Sequence, residues 1–500
     1  SAALCIMLLR TRQLAGRNGA SIRTTLQKRW FGASSSVAAP DSILSQLRPM
    51  TEPLEGLPEP RPARELPVPE TRISTLPNGV RVVSEEDYGQ TSSIGVFVDA
   101  GSRFETGATR GVTHLLERLA YTSTTRMTGP EVHSAFSNIG GDLRVAGARD
   151  QVMWMTTCLR EHAKTATQLV ADSAFRPALG ADDMELAKMD ALQTYDFLWS
   201  DPEKVAPELL HEAAFGPDSA LGQAQVPTPD VLGQLTADSV RAHMAACFAG
   251  PRVVVAGAGV EHEEFVSWAA DAFADVPAQS SLPVPAGTSA YRPRELVRPM
   301  DAIEDVHVSI GFHVNGWGHD DAVPLCVLHT LLGGGLSFSP GGPGKGLYTR
   351  LYRDVLQTYG WVNSVLSMAY LVNDQGLLAI NASGPARFAD DLTRVCASHL
   401  LEIAMSPVPT PEFERARHML RASVLMNLEH QQILCEDLGR QVLMYGQRHD
   451  AKTLCERIEA CTAQDLQRIV AQYAQAPPSV AVFGQTKEYS GLSKLFARKA

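Results

Sequence analysis

Five hundred residues, 44% of them hydrophobic, are more than a single core usually serves, so two or more domains are expected. The net charge is −11; the first forty residues hold six basic side chains (Arg10, Arg12, Arg17, Arg23, Lys28, Arg29) and no acid, which leaves −17 on residues 41–500. That acidic body disfavours nucleic acid and anionic membrane and favours basic peptides or proteins as partners, although net charge also serves solubility alone. No run reaches the about eighteen apolar residues of a membrane span, and eight scattered cysteines without a Cys-x-x-Cys pair fit a reducing compartment rather than a disulfide framework or zinc ribbon.

In chain order, residues 1–37 are Arg-rich, Ser-containing and acid-free, the character of a mitochondrial transit peptide, with Arg29-Trp30-Phe31 ahead of Gly32-Ala33-Ser34 resembling a matrix cleavage context. A mitochondrial matrix location is expected. Eight prolines in 38–71 make an extended linker. Residues 72–83 read as two strands joined at Asn78-Gly79, a strong hairpin signal, and 93–98 as a third strand. Helical periodicity follows at 109–121, 129–138, 160–174 and 181–199, with strands near 142–157 between them. Asp201-Pro202-Glu203 is an N-cap with proline at the first helical position, opening a helix that runs to Phe215. A strand at 252–257 and a helix at 262–274 close this half.

Prolines 277, 283, 285, 293 and 299 mark a second linker, 277–299. Beyond it the order recurs: strand 306–314, helix 320–332, strands near 361–382, helices 387–405, 410–430, 433–446 and 462–474, and a last strand 479–483. In each half helices lead into a last strand, 252–257 in the first and 479–483 in the second, and each half spans a normal domain length, so we read an internal duplication of α+β domains at 72–276 and 300–490.

Between helix 320–332 and an apolar-periodic segment at 347–356 lies the run 333–346, in which seven of fourteen residues are glycine. No helix or strand is expected to tolerate that density, so the run is read as a loop, either a plain connector or a segment whose backbone must be approached closely. It is not a phosphate cradle. A Walker A loop needs Gly five places before the Gly-Lys pair and Ser or Thr after the lysine, and here Ser339 and Gly346 stand there.

In the helix at 109–121, His114 and Glu117 share a face. An inverted zinc-protease motif, His-x-x-Glu-His, uses both histidines as metal ligands and the glutamate as base. Here the second histidine is Arg118, whose guanidinium has no lone pair to donate and repels a dication. A lone His-x-x-Glu is otherwise common on ordinary helices.

Together the degenerate motif, the sequence Gly-Gly-Gly-x-Ser-Phe-Ser-x-Gly-Gly-Pro-Gly-Lys-Gly followed by Arg350-Leu351-Tyr352, the segment 211–215, and 435–443 with 456–460 resemble the pitrilysin-type (inverzincin, M16) metallopeptidase family, and within it the non-catalytic alpha-type members. The resemblance covers most of residues 72–490. It implies an α+β fold of two duplicated M16-type domains, each a ferredoxin-like, helix-flanked antiparallel sheet, forming half of a clamshell. In the catalytic beta-type members the third ligand is a glutamate 77 positions after the second histidine; counting from Arg118 reaches Tyr195, so that ligand is absent too. The resemblance further implies no catalytic residue and no metal in this chain, zinc only in a beta-type partner (core protein 1 in the respiratory complex), and binding of basic mitochondrial presequences. The residues implied to bind them are Gly333, Gly334, Gly335, Ser337, Phe338, Gly341, Gly342, Gly344, Lys345 and Gly346; separately, we expect some of Glu412, Glu414, Glu429, Glu436 and Asp437 to contribute acidic contacts, the alternative being solvated surface acids. Core subunits of the cytochrome bc1 complex share the fold, which adds cytochromes b and c1 as implied partners and the matrix face of the inner membrane as an implied location; a purely structural core subunit remains the alternative.

Overall fold

The computed structural model describes residues 67–337 and 347–492. The strands and helices of the first half are β1 (Thr71–Thr75), β2 (Arg81–Glu85), β3 (Thr91–Val98), α1 (Val112–Arg118), α2 (Gly129–Asn138), β4 (Asp142–Gly147), β5 (Val152–Leu159), α3 (Ala163–Phe175), α4 (Ala181–Leu198), α5 (Pro202–Phe215), α6 (Pro229–Gln234), α7 (Ala237–Cys247), β6 (Val253–Ala258) and α8 (His262–Ala272). Those of the second half are β7 (Glu295–Pro299), β8 (Val306–Asn315), α9 (Ala322–Leu332), β9 (Gly334–Leu336), β10 (Ser364–Leu371), β11 (Gln375–Gly384), α10 (Ala389–Met405), α11 (Thr410–Leu428), α12 (Gln431–Tyr445), α13 (Ala451–Ala460), α14 (Ala463–Tyr473) and β12 (Ser479–Gly484).

Two six-stranded sheets result, ordered β1-β2-β6-β3-β5-β4 and β7-β12-β8-β11-β10-β9. They share a five-stranded plan. The pairs β2/β6 and β7/β12 are parallel, and the neighbouring pairs β6/β3/β5/β4 and β12/β8/β11/β10 are antiparallel. Each sheet is thus antiparallel, as expected, apart from one parallel pair. The parallel partners come from opposite ends of each half, and a parallel pair needs just such a long crossover. Each sheet adds one strand of its own, on opposite edges: β1 in the first, through the hairpin whose Gly79 sits at φ +88°, and β9 in the second. The proline-rich linker 277–299 also contains a strand not anticipated from sequence, β7. It lies at a sheet edge with Pro299 as its last residue, where a missing N–H costs no ladder bond.

The central strands are buried on both faces. On β3, Ile94, Val96 and Val98 join the first core with Trp154, Phe265 and Phe273, while Phe97 points to the other face. What covers that other face is a helix from the second half: Leu434, Cys435, Leu438 and Val442 of α12 pack on Phe97, Met153, Met155 and Val254. The exchange is reciprocal. From the first half, α5 lays Val205, Ala206 and Leu209 against Ala481 and Phe483, and Leu210 and Ala214 against Leu377 and Ala379. Glycines on the two central strands admit these helices: Gly95 faces the Cys435 sulfur, and Gly311 faces the Leu210 side chain.

A polar clasp adds to this exchange. Arg103 is buried and gives hydrogen bonds of 2.8 Å to Asp150 Oδ1 in the β4–β5 turn, 2.8 Å to Asp374 Oδ1 in the β10–β11 turn and 2.7 Å to the Gly287 carbonyl, while Asp150 Oδ2 accepts from Asn373 N at 3.0 Å. Among the described residues no helix is long and apolar enough to cross a membrane.

Candidate functional site

The glycine run begins where α9 ends. Gly333 terminates the helix at φ +55°, its N–H still bonded to the His329 carbonyl at 2.9 Å, and Gly334 follows at φ +109°. Both conformations favour glycine, and both positions are crowded: a Cβ on Gly333 would collide with the Thr349 side chain, and one on Gly334 with the Val365 carbonyl. Residues 334–336 then form β9, paired antiparallel to β10 with Gly334 opposite Leu366 and Leu336 opposite Ser364. This corrects the reading of the whole run as loop. An edge strand is held by backbone bonds, so glycine does not forbid it, and here the absent side chains let the chain lie close against β10.

The start of the run is fixed to neighbouring chain. Gly334 N donates to Thr349 Oγ1 at 3.0 Å, Ser367 N donates to the Gly333 carbonyl at 2.8 Å, and Ser337 N to the Asn363 carbonyl at 2.8 Å. Directly after Thr349, Arg350 makes a buried bidentate pair with Glu412 of α11 at 2.9 and 2.8 Å. The helix anticipated over 347–356 is shorter than its periodicity implied: 347–349 turn, and a π-helical turn occupies Tyr352–Leu356, below the Gly335 backbone. Leu336 and Tyr348 are exposed. Of the sequence-predicted loop residues, Gly333, Gly334, Gly335 and Ser337 are thus gathered at one sheet edge, whereas Phe338, Gly341, Gly342, Gly344, Lys345 and Gly346 lie outside the described residues.

The degenerate motif occupies the corresponding helix of the first half, the one after the central strand. Glu105 caps α1, accepting from Gly111 N and Thr113 N at 2.7 Å each; burial drives its pKa up to about 7, and these bonds oppose the rise. His114 Nδ1 lies 3.1 Å from Glu117 Oε2, and Glu117 Oε1 accepts from Gly147 N of β4. Arg118 Nη2 is 3.8 Å from Glu117 Oε2, and its Nη1 bonds Asp190 Oδ2 of α4 at 3.2 Å. The ring of Tyr195 meets Trp199 edge-on at 5.9 Å. An imidazole, a carboxylate, a guanidinium and a phenol do not make a zinc donor set: the cation at position 118 stands where a second neutral nitrogen is needed. Among the described residues no group of three or more His, Cys, Asp or Glu is placed to hold a metal ion.

The acids are also redistributed by the fold. Glu412 is taken up by Arg350, Glu436 is buried with Arg440 at 2.8 Å, and Asp437 is buried beside Gln441 at 2.8 Å and Arg448 at 3.3 Å. These three are corrected from candidate peptide contacts to structural ion pairs, since a buried carboxylate bonded to a neighbouring cation is not open to a peptide. Glu414 pairs with Arg417 at 2.7 Å and remains partly open, and Glu429 is exposed. Sequence reasoning passed over the five exposed or half-exposed acids of α4, Asp182, Asp183, Glu185, Asp190 and Asp196; helical spacing on a strongly acidic segment was the signal available.

Two lobes built on one mixed-sheet plan, with a His-x-x-Glu helix in the first followed by arginine where an inverted motif has its second histidine, define a protein of metallopeptidase fold. Family models agree: insulinase (peptidase family M16) matches residues 81–224, and the M16 inactive domain matches residues 234–420. Curated relatives include the mitochondrial-processing peptidase subunit alpha of Solanum tuberosum, 31% identical with 93% of this chain and 91% of the relative covered. Those of Neurospora crassa (32%; 81% and 83%) and Bos taurus (31%; 88% and 87%) are similar. Among solved structures, a chain of complex III2 from Candida albicans superposes with TM-score 0.72 at 19% identity, covering 85% of this chain and 98% of that one. A Helicobacter pylori protease gives 0.75 at 16%, covering 83% and 100%. The chain belongs to the insulinase family, peptidase family M16, and alpha subunits of the mitochondrial processing peptidase are among its curated relatives.

Proposed function

We propose that this chain is the non-catalytic, presequence-binding subunit of a mitochondrial processing peptidase, presenting basic presequences on its glycine-rich segment 333–346 to a zinc-bearing beta subunit in the matrix. The observation that carries the reading is a contrast within one duplicated plan. In the first half Arg118, on the helix after the central strand, and Tyr195, on α4, stand at the positions where the resemblance places metal ligands, while the equivalent helix of the second half is followed by Gly333 and Gly334, whose positive φ angles and close contacts favour glycine. The chain has given up the chemistry and kept a costly backbone feature. The net charge of −17 outside the basic arm supports electrostatic attraction of basic peptides, which predicts salt-sensitive binding.

The test is to delete 341–346 in the full chain and titrate a fluorescent basic presequence peptide against the variant reconstituted with a beta subunit. Weaker binding with an unchanged melting temperature supports the proposal. Unchanged affinity and unchanged cleavage by the pair overturn it.

A further inference from the structure

We infer that the solvent face of α4 is a docking surface for the amphipathic helix of a basic peptide, a second contact for the presequences assigned above; the inference rests on that assignment. The helix is apolar on two sides. Met184, Ala187, Ala191 and Leu198, at three-, four- and seven-residue spacing, are buried in the first lobe. On the opposite side Leu186, Met189 and Phe197 are 63%, 61% and 60% exposed, and Leu192 is exposed beside them. An ordinary surface helix shows one apolar stripe and a polar outer face, so a second stripe calls for a second partner.

The charges say which partner. Asp182, Glu185, Asp190 and Asp196 are exposed on the same outward side, and Lys188, the single cation of the helix, is set off from it and only partly exposed. At 100° per residue, Leu186, Met189 and Phe197 fall within about a quarter-turn of one another, with these acids interleaved. Among the described residues only Asp190 of those four has a cation, Arg118 at 3.2 Å. A membrane surface, being anionic, is repelled; a neutral apolar partner leaves the acids desolvated and unpaired. A peptide helix with an apolar stripe flanked by Lys and Arg satisfies both components together, in the helix-on-helix mode. The position is apt, since Arg118 ties α4 to the degenerate motif helix.

The test uses the full chain reconstituted with a beta subunit and two labelled synthetic peptides of identical composition, one a basic amphipathic helix, the other scrambled to destroy its apolar stripe. M189Q/F197Q alters exposed side chains only. The proposal expects amphipathic-peptide affinity to fall about tenfold, as removing two buried apolar contacts implies, with scrambled-peptide affinity unchanged. D182N/E185Q/D196N is expected to weaken binding and flatten its salt dependence. Equal affinity of wild type and both variants overturns the inference while leaving the assigned function standing; no presequence binding by wild type removes the assignment itself. If M189Q/F197Q instead dissociates the heterodimer on a native gel and peptide affinity is unchanged, the face belongs to the subunit interface and the inference fails.

Discussion

Arg118 of α1 and Asp190 of α4 stand 3.2 Å apart, so the guanidinium that follows Glu117 ties the His114–Glu117 helix to α4. The pair is partly solvated, and such pairs contribute about 0–1 kcal/mol. Arg118→Ala is therefore expected to lower stability by under ~1 kcal/mol by urea denaturation. Arg118→His supplies a second imidazole but leaves Tyr195 at the third position, so metal analysis of the purified variant should find no stoichiometric zinc. One tightly held zinc per chain would contradict the donor-set argument.

At Gly439 the exchanged helix α12 meets the ring of Phe97 so closely that a Cβ would overlap it. Gly439→Val is expected to destabilise the protein by ~2–3 kcal/mol through overpacking, and Phe97→Leu in the same chain should recover part of the loss. Additive losses in the double variant would show that the two residues do not compete for one volume.

Removing Arg103 leaves Asp150 beneath two lobes without its cation. Burial already pushes the Asp150 carboxyl above the ordinary range against the pull of Arg103. Arg103→Met should therefore cost ~3 kcal/mol. Faster amide exchange is expected at 371–375 and 286–289, the segments that Arg103 and Asp150 tie down. Unchanged exchange there would show that helix exchange alone holds the lobes.

His307, stacked on Phe483 at 5.1 Å between ring centroids, has its pKa lowered from 6.5 to about 4 by burial, with Asp305 opposing. Because the unfolded chain takes up this proton first, the His307 contribution is complete above pH 6.5 and declines as pH falls to about 4, below which it changes no further. His307→Phe keeps the stacking and removes the proton. Its stability should fall less steeply than wild type over that window, by up to ~1.4 kcal/mol per pH unit, with both proteins alike above pH 7. Parallel curves would show that His307 does not titrate with folding.

Local signals were legible where local physics decides. Helix α5 runs over the residues anticipated because Asp201 accepts from Glu203 N at 3.1 Å, Pro202 starts the helix, and Gly216 at φ +92° ends it. The same signals do not say that α5 packs on the other half's sheet, since both sheets offer it a similar apolar surface. The strands β7 and β9 were hidden because edge strands are short and tolerate proline and glycine.

For the site, the sequence by itself determined what position 118 cannot do, because a guanidinium lacks a lone pair in any fold. It also marked 333–346 as a stretch where glycine's conformational freedom is concentrated, and the positive φ angles of Gly333 and Gly334 came with the structure. Only the tertiary structure decided where charge and apolar surface remain available. Glu412, Glu436 and Asp437 read as open acids until Arg350, Arg440 and Arg448 are packed on them, while α4 keeps Leu186, Met189 and Phe197 in solvent. A carboxylate's role depends on the distance to its nearest cation, and that distance is set by segments far apart in the chain.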